Sequence, residues 1–340
     1  MTMNLRQTQR IQRLFRQKGL RGTIATCALL VLAACQGSNT GESTPIAFDD
    51  LPGPFAVGQR TDVIYSDNAR NREIKATFWY PTNGENLGPE VTTDEASLVD
   101  GSQKFPLVVL IHGIVDNAPG TWPYLAPHLA SKGYIVAAPS TGSNFSNTSD
   151  LVNHPGDVSF LIDVVAGTNG LEAMFATRTD LDKVAVGGFS FGGGATHLIA
   201  YDPPSQDPRV RAAIIMAGIP GAAPPQNPEL SLLAIYGTED PLIPHQVGVD
   251  LYEAASAPKY LLTLLGGGHL GFTRSDETFD GATMEQKRQE KLTRVAVFAF
   301  LTSLFADAET DQVAARKYLQ TDLNRENADA DIVFDPGGVD

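Results

Sequence analysis

Gly188-Phe189-Ser190-Phe191-Gly192 joins a short apolar run, Val184–Phe189, to a segment that reads as a helix from Phe191 onward. On a strand-to-helix turn this tight, the central serine takes a strained backbone conformation that lifts its hydroxyl above the sheet. Glycine two residues to either side avoids collision with neighbouring backbone. Such a serine can transfer acyl groups if a base takes its proton and an acid orients that base. On this scaffold the acid and then the histidine follow the serine along the chain. Among the six histidines, His245 and His269 follow a suitable acid. His269 closes Gly266-Gly267-Gly268-His269 directly after the apolar run Tyr260–Leu265, where a glycine loop can carry an imidazole back over the sheet. His245 comes too soon after the acid loop to reach across, and reads as a surface or loop residue. Glu239 and Asp240, in Tyr236-Gly237-Thr238-Glu239-Asp240-Pro241, both stand where an orienting carboxylate is needed, and at least one of them is a plain turn residue. Two backbone N–H groups must also face the developing oxyanion, one after the nucleophile and one in the first strand–helix loop. The pattern assigns these to Phe191 and, after His112-Gly113, to Ile114. His112 reads as a structural histidine bonding that loop. It has no partner at metal-ligand spacing, and neither a metal nor a cofactor is implied.

These residues need rigid elements beneath them. Continuous apolar runs at Phe105–Ile111, Tyr134–Ala138, Val184–Phe189, Ala212–Ala217, Leu230–Tyr236 and Tyr260–Leu265 predict parallel strands covered on both faces. Helices are expected over Trp122–Lys132, Pro155–Val165, Phe191–Tyr201 and Thr283–Phe305, with a short one near Ala314–Leu323. Ahead of them, Ala56–Tyr65 and Glu73–Tyr80 flank the polar stretch Ser66–Asn71 and predict an antiparallel hairpin, Ile74, Ala76, Phe78 and Tyr80 sharing one face. The polar Pro81–Gln103 reads as a loop. The expectation is an α/β fold: a mostly parallel central sheet, helices on both faces and no large lid.

The chain of 340 residues carries a net charge of −14, although residues 1–34 hold six basic side chains and no acid. So acidic a body repels phosphate backbones, which argues against nucleic-acid partners. Both cysteines, Cys27 and Cys35, lie near the start, so the body has no disulfide or thiol nucleophile. A basic stretch followed by the ten apolar-rich residues Thr23–Leu32 has the layout of a secretory signal. Leu32-Ala33-Ala34-Cys35 resembles the bacterial lipobox, which implies cleavage before Cys35, lipidation of Cys35 and attachment to the cell envelope. Gln36 in the next position resembles outer-membrane sorting where a host has two membranes. The organisation expected is a leader over 1–34, a flexible tether over 35–50 with about 20 Å of reach, a catalytic domain over 51–308, and an acidic, loosely held tail over 309–340.

From Gly53 to Phe305 the chain resembles the α/β-hydrolases, and within them the predicted dienelactone hydrolases, platelet-activating-factor acetylhydrolases and cutinase-like polyesterases. The resemblance rests on FWYP at Phe78–Pro81, HG at His112–Gly113, LAPHLASKGYIVAAP at Leu125–Pro139, GFSFGGG at Gly188–Gly194, YGTEDPLIP at Tyr236–Pro244 and GGGHLGF at Gly266–Phe272. It implies the α/β-hydrolase fold and a Ser190, Asp240, His269 triad, because the cutinase-like members take the aspartate of the equivalent acid pair. Acetylhydrolases place the acid after the preceding strand, where this chain has Ala217-Gly218-Ile219-Pro220. Two departures stand out. Phe189 occupies a position usually held by His or another aromatic, and serine replaces the cysteine of dienelactone hydrolases proper.

The polar loop Ser140–Pro155 and the proline-bearing Ile219–Glu229 leave the carboxyl ends of strands, where open α/β sheets bind ligands. An uncovered cleft suits short acyl chains or accessible polymer ends. A carboxylesterase for small or polymeric esters is therefore expected, with no obligate protein partner. The alternatives are a phospholipid acetylhydrolase, thioesterase or acyltransferase on the same residues, or a non-catalytic surface lipoprotein.

Overall fold

Runs of valine, isoleucine, leucine and alanine too short for helices and apolar throughout become the central strands, because both faces of each are covered. The computed structural model describes residues 46–337 apart from 89, 115–117, 141–147, 169–172, 220, 222–223 and 274–280. The expected leader, Cys35 and most of the tether lie outside the described residues, as do parts of the loops Ser140–Pro155 and Ile219–Glu229.

β1 (Ala56–Asp67) and β2 (Arg72–Thr82) pair as the expected antiparallel hairpin. A short β3 (Thr92–Asp94) inside the expected loop adds parallel to β1. β4 (Phe105–Ile111), β5 (Ile135–Ser140), β6 (Thr179–Phe189), β7 (Val210–Met216), β8 (Ser231–Gly237) and β9 (Lys259–Leu264) form a parallel block. With β10 (Ala330–Asp335), the described strands lie in the order β10-β9-β8-β7-β6-β4-β5-β2-β1-β3. Ile74, Ala76, Phe78 and Tyr80 are buried on one face as the alternation requires, but Thr77 and Trp79 are buried on the other. β2 pairs with β1 and β5, so it is an interior strand rather than a half-exposed one.

The helices are α1 (Ala118–Thr121), α2 (Ala126–Ser131), α3 (His154–Val165), α4 (Ala173–Ala176), α5 (Phe191–Tyr201), α6 (His245–Ala254), α7 (Gln286–Phe305), α8 (Glu309–Lys317) and α9 (Leu323–Glu326). Along β4, Val108 and Leu110 face a core shared with α2 and α7, whereas Leu107, Val109 and Ile111 face a second core shared with α3 and α5. Each such buried aliphatic side chain contributes roughly 1.5–3 kcal/mol. Two cores, one on each face, hold the carboxyl edge of the sheet rigid.

Both ends of the body differ from expectation. The tether joins the body by Ile46: Phe48 lies 5.1 Å from the Tyr318 ring, and Arg294 donates to both Asp50 carboxylate oxygens at 2.5 and 2.8 Å. The acidic C-terminal stretch is not a loose tail. It folds as α8, a π turn over Tyr318–Asp322 and α9, then adds β10 antiparallel to β9. Ala315, Leu319 and Leu323 recur every four residues and are fully buried. β10 also covers what would otherwise be an open edge at β9.

His128 of α2 is buried against Phe298, and neither ring nitrogen has a hydrogen-bond partner among the described residues. Burial, with Lys132 and Arg294 nearby, pushes its pKa down to about 3 from 6.5. The unfolded chain therefore takes up a proton near pH 6.5 that the folded protein refuses. Stability from this group is full above pH 6.5 and is lost as pH falls toward 3, amounting to about 2 kcal/mol at pH 5. In urea unfolding, His128→Leu is expected to lose about 2 kcal/mol less than wild type between pH 8 and pH 5. Equal losses in the two proteins would refute this account.

Candidate active site

Ser190 sits between β6 and α5 with φ of 54°, a conformation that costs a non-glycine residue on the order of 1–3 kcal/mol. Backbone bonds hold it there: its N–H donates to Met216 O at 3.0 Å, and its carbonyl accepts from Gly194 N and Ile219 N, each at 3.1 Å. The flanking glycines are sterically required. A Cβ on Gly188 would lie 2.1 Å from Gly192 O, and one on Gly192 would lie 2.1 Å from Ile111 O. The latter approach brings the start of α5 against the end of β4.

From there the hydrogen bonds run in one line. His269 Nε2 lies 3.0 Å from Ser190 Oγ, and its Nδ1 lies 2.6 Å from Asp240 Oδ2. With Nδ1 protonated and donating to the carboxylate, Nε2 is free to accept the serine proton. The Asp240 side chain is fully buried, and its other oxygen accepts from Leu242 N and Ile243 N, each at 2.8 Å. These three bonds fix the carboxylate with Oδ2 turned toward the imidazole. Phe189 packs against the His269 ring at 4.8 Å and against Phe272 at 5.8 Å, which limits the freedom of the ring.

The other acid does not join this line. Glu239 is exposed and accepts from Thr283 N at 2.7 Å, bracing the segment that follows the glycine loop. His245 begins α6, half-buried, with Nε2 2.9 Å from Thr263 Oγ1. Desolvation lowers its pKa. His112 is buried, and its Nδ1 lies 2.6 Å from Gly113 O, as expected of a loop-bonding residue. A Cβ on Gly113 would lie 3.7 Å from Ser190 Cβ, so the loop leading to Ile114 lies beside the nucleophile. Phe191 is the first residue of α5, where helical geometry leaves its N–H without an intrahelical acceptor. Cys35 lies outside the described residues. Among the described residues no group of three or more His, Cys, Asp or Glu is arranged to hold a metal ion.

Sequence reasoning missed two supports of the site. Arg70 and Arg72, at the turn of the β1–β2 hairpin, both bond Asp157 at 2.8 Å, and Arg72 also grips Asp150 at 2.9 Å, pinning the chain after β5. The second support is Gln289, whose amide meets both polar groups of Gly268. A polar residue one helical step before Leu292, on the inward face of α7, was the available signal.

No family model matches the chain, and no curated protein matches it in sequence. Among solved structures it is similar to a ferulic acid esterase from Streptomyces cinnamoneus, with a TM-score of 0.56 and 22% identity over 76% of this chain and 91% of that one. The fold is the α/β-hydrolase fold. At this identity the likeness speaks for architecture alone.

Proposed function

We propose that the protein is a serine carboxylic-ester hydrolase acting on short-chain or polyester-like esters. The observation that carries this reading is the unbroken Asp240–His269–Ser190 hydrogen-bonded line, ending on a strained serine. An esterase on the same fold is consistent with it. In this scheme Ser190 Oγ attacks the ester carbonyl carbon while its proton passes to His269 Nε2. Asp240 holds the resulting imidazolium. The N–H groups of Ile114 and Phe191 receive the oxyanion. Collapse of the tetrahedral intermediate expels the alcohol, which takes the proton from His269 and leaves an acyl group on Ser190. Water, deprotonated by the same histidine, then attacks the acyl-enzyme to release the acid and restore the serine.

The test is labelling of Ser190 by a fluorophosphonate together with kinetics on acetyl, butyryl, octanoyl and palmitoyl esters. Labelling at Ser190 is expected, with kcat/KM highest for the short acyl groups, because the sequence carries no large lid insertion to cover a long acyl chain. Absent labelling or a maximum at palmitoyl would defeat the proposal. We further propose attachment to the cell envelope through lipidated Cys35, supported by Leu32-Ala33-Ala34-Cys35 behind a basic, then apolar leader. Protein from a bacterial host is expected in the membrane fraction, with Cys35→Ala moving it to the soluble one. Identical partitioning of the two would remove the anchor.

A further inference from the structure

His269 stands on a loop of glycines, which by themselves leave an imidazole free to wander. Its hydrogen bonds to Ser190 and Asp240 tolerate little displacement, since such bonds weaken steeply with distance and angle. Something outside the three residues must hold the loop. Gln289, in the first turns of α7, is fully buried, and its side-chain amide meets the peptide groups on either side of Gly268. Oε1 accepts from Gly268 N at 3.1 Å and Nε2 donates to Gly268 O at 2.9 Å. Both bonds fall on the residue immediately before the base. The fit leaves no room for another side chain: a Cβ on Gly271 would lie 2.2 Å from Gln289 Oε1. One turn earlier on the same helix, the Gln286 amide donates to Thr273 O, beyond the 3-10 turn Leu270–Phe272 that follows His269. Two amides on one helix face thus grip the backbone on both sides of the imidazole.

We propose that Gln289 is a positioning residue for His269, fixing the loop so that Nε2 and Nδ1 reach Ser190 and Asp240 together. The proposal rests on the serine-hydrolase reading above and adds to it the device that sets its base. A core amide serving only stability would affect folding and leave the geometry of the imidazole untouched. One serving position acts on the His269–Asp240 bond itself.

The experiment compares wild type with Gln289→Met, which keeps length but removes both bonds, and Gln289→Glu, which keeps the acceptor. Thr293→Val, one turn further along α7 at a buried hydroxyl with no hydrogen-bond partner among the described residues, is the control. The readouts are the rate of fluorophosphonate labelling, kcat and KM on a butyryl ester, and the downfield NMR resonance of the imidazole proton shared between His269 and Asp240. Gln289→Met is expected to lower kcat and labelling roughly 10- to 100-fold with KM changed less than about twofold, and to shift or abolish the downfield resonance. Gln289→Glu is expected to fall between it and wild type, and carries the test if the methionine variant does not fold. Thr293→Val is expected to match wild type in all three. A folded Gln289 variant with wild-type labelling, kcat and resonance would overturn the proposal. If wild type itself is not labelled, the hydrolase reading fails, while the resonance still reports whether Gln289 sets the position of His269.

Discussion

Ser190→Ala is expected to lower ester turnover on the order of 10⁵-fold while leaving the fold intact, and His269→Ala to do the same. The double variant should be no worse than either single one, because nucleophile and base act as a unit. Among the described residues the hydroxyl bonds His269 alone, and Ser190 belongs to neither core, so the loss of the hydroxyl removes no packing from either. The backbone adds a second, opposite effect. Ser190 is held at φ 54° by bonds to Met216, Gly194 and Ile219 that do not involve its side chain. Glycine occupies that region without penalty, so Ser190→Gly is expected to be as inactive as the alanine variant yet more stable than wild type by about 1 kcal/mol. Kinetics on a butyryl ester and urea unfolding of the four variants check both halves. An alanine variant that retains a tenth of wild-type turnover would remove Ser190 from the chemistry. A glycine variant less stable than wild type would show that the turn stores no strain.

How far the sequence reaches depends on whether a residue's role is local. Phe105–Ile111 and Phe191–Tyr201 coincide with β4 and α5 because an apolar run or a small-residue helix behind a glycine turn declares itself without its neighbours. The parallel block was legible for the same reason, with ends shifted by a few residues: Ala212–Ala217 was expected where β7 covers Val210–Met216. α6 escaped notice. Only Gly248 in it is buried, and its apolar residues touch the core at half-exposed positions, so no buried apolar run marks it in the sequence. β10 was missed because Asp331 and Asp335 give it an acidic, tail-like composition, and its partner β9 lies far back in the chain. The same distinction runs through the candidate site. Ser190 and His269 announce themselves by local pattern, while Gln289 depends on where α7 meets the glycine loop. The choice between Glu239 and Asp240 could not be made from spacing, since the two are adjacent and differ only in which way each points.

That choice sets the last expectation. Asp240→Asn is expected to cost on the order of 10⁴-fold in kcat, about 5.5 kcal/mol of transition-state stabilisation, through the tautomer of the histidine. Asp240 Oδ1 accepts from the N–H groups of Leu242 and Ile243, a task that only an oxygen can perform. Asparagine must therefore turn its carbonyl toward that pair and its NH2 toward His269. An NH2 facing Nδ1 requires Nδ1 to accept, which moves the ring proton to Nε2, where it faces Ser190 Oγ as a donor and cannot take the serine proton. Glu239→Gln works the other way. Its partner is the Thr283 N–H, which a glutamine carbonyl receives as well as a carboxylate does, so turnover should change less than about threefold. Steady-state kinetics of the two variants on one butyryl ester at pH 8 make the comparison. If Glu239→Gln proves the more damaging of the two, the orienting carboxylate is Glu239, and the buried bond between Asp240 and His269 serves the loop rather than the reaction.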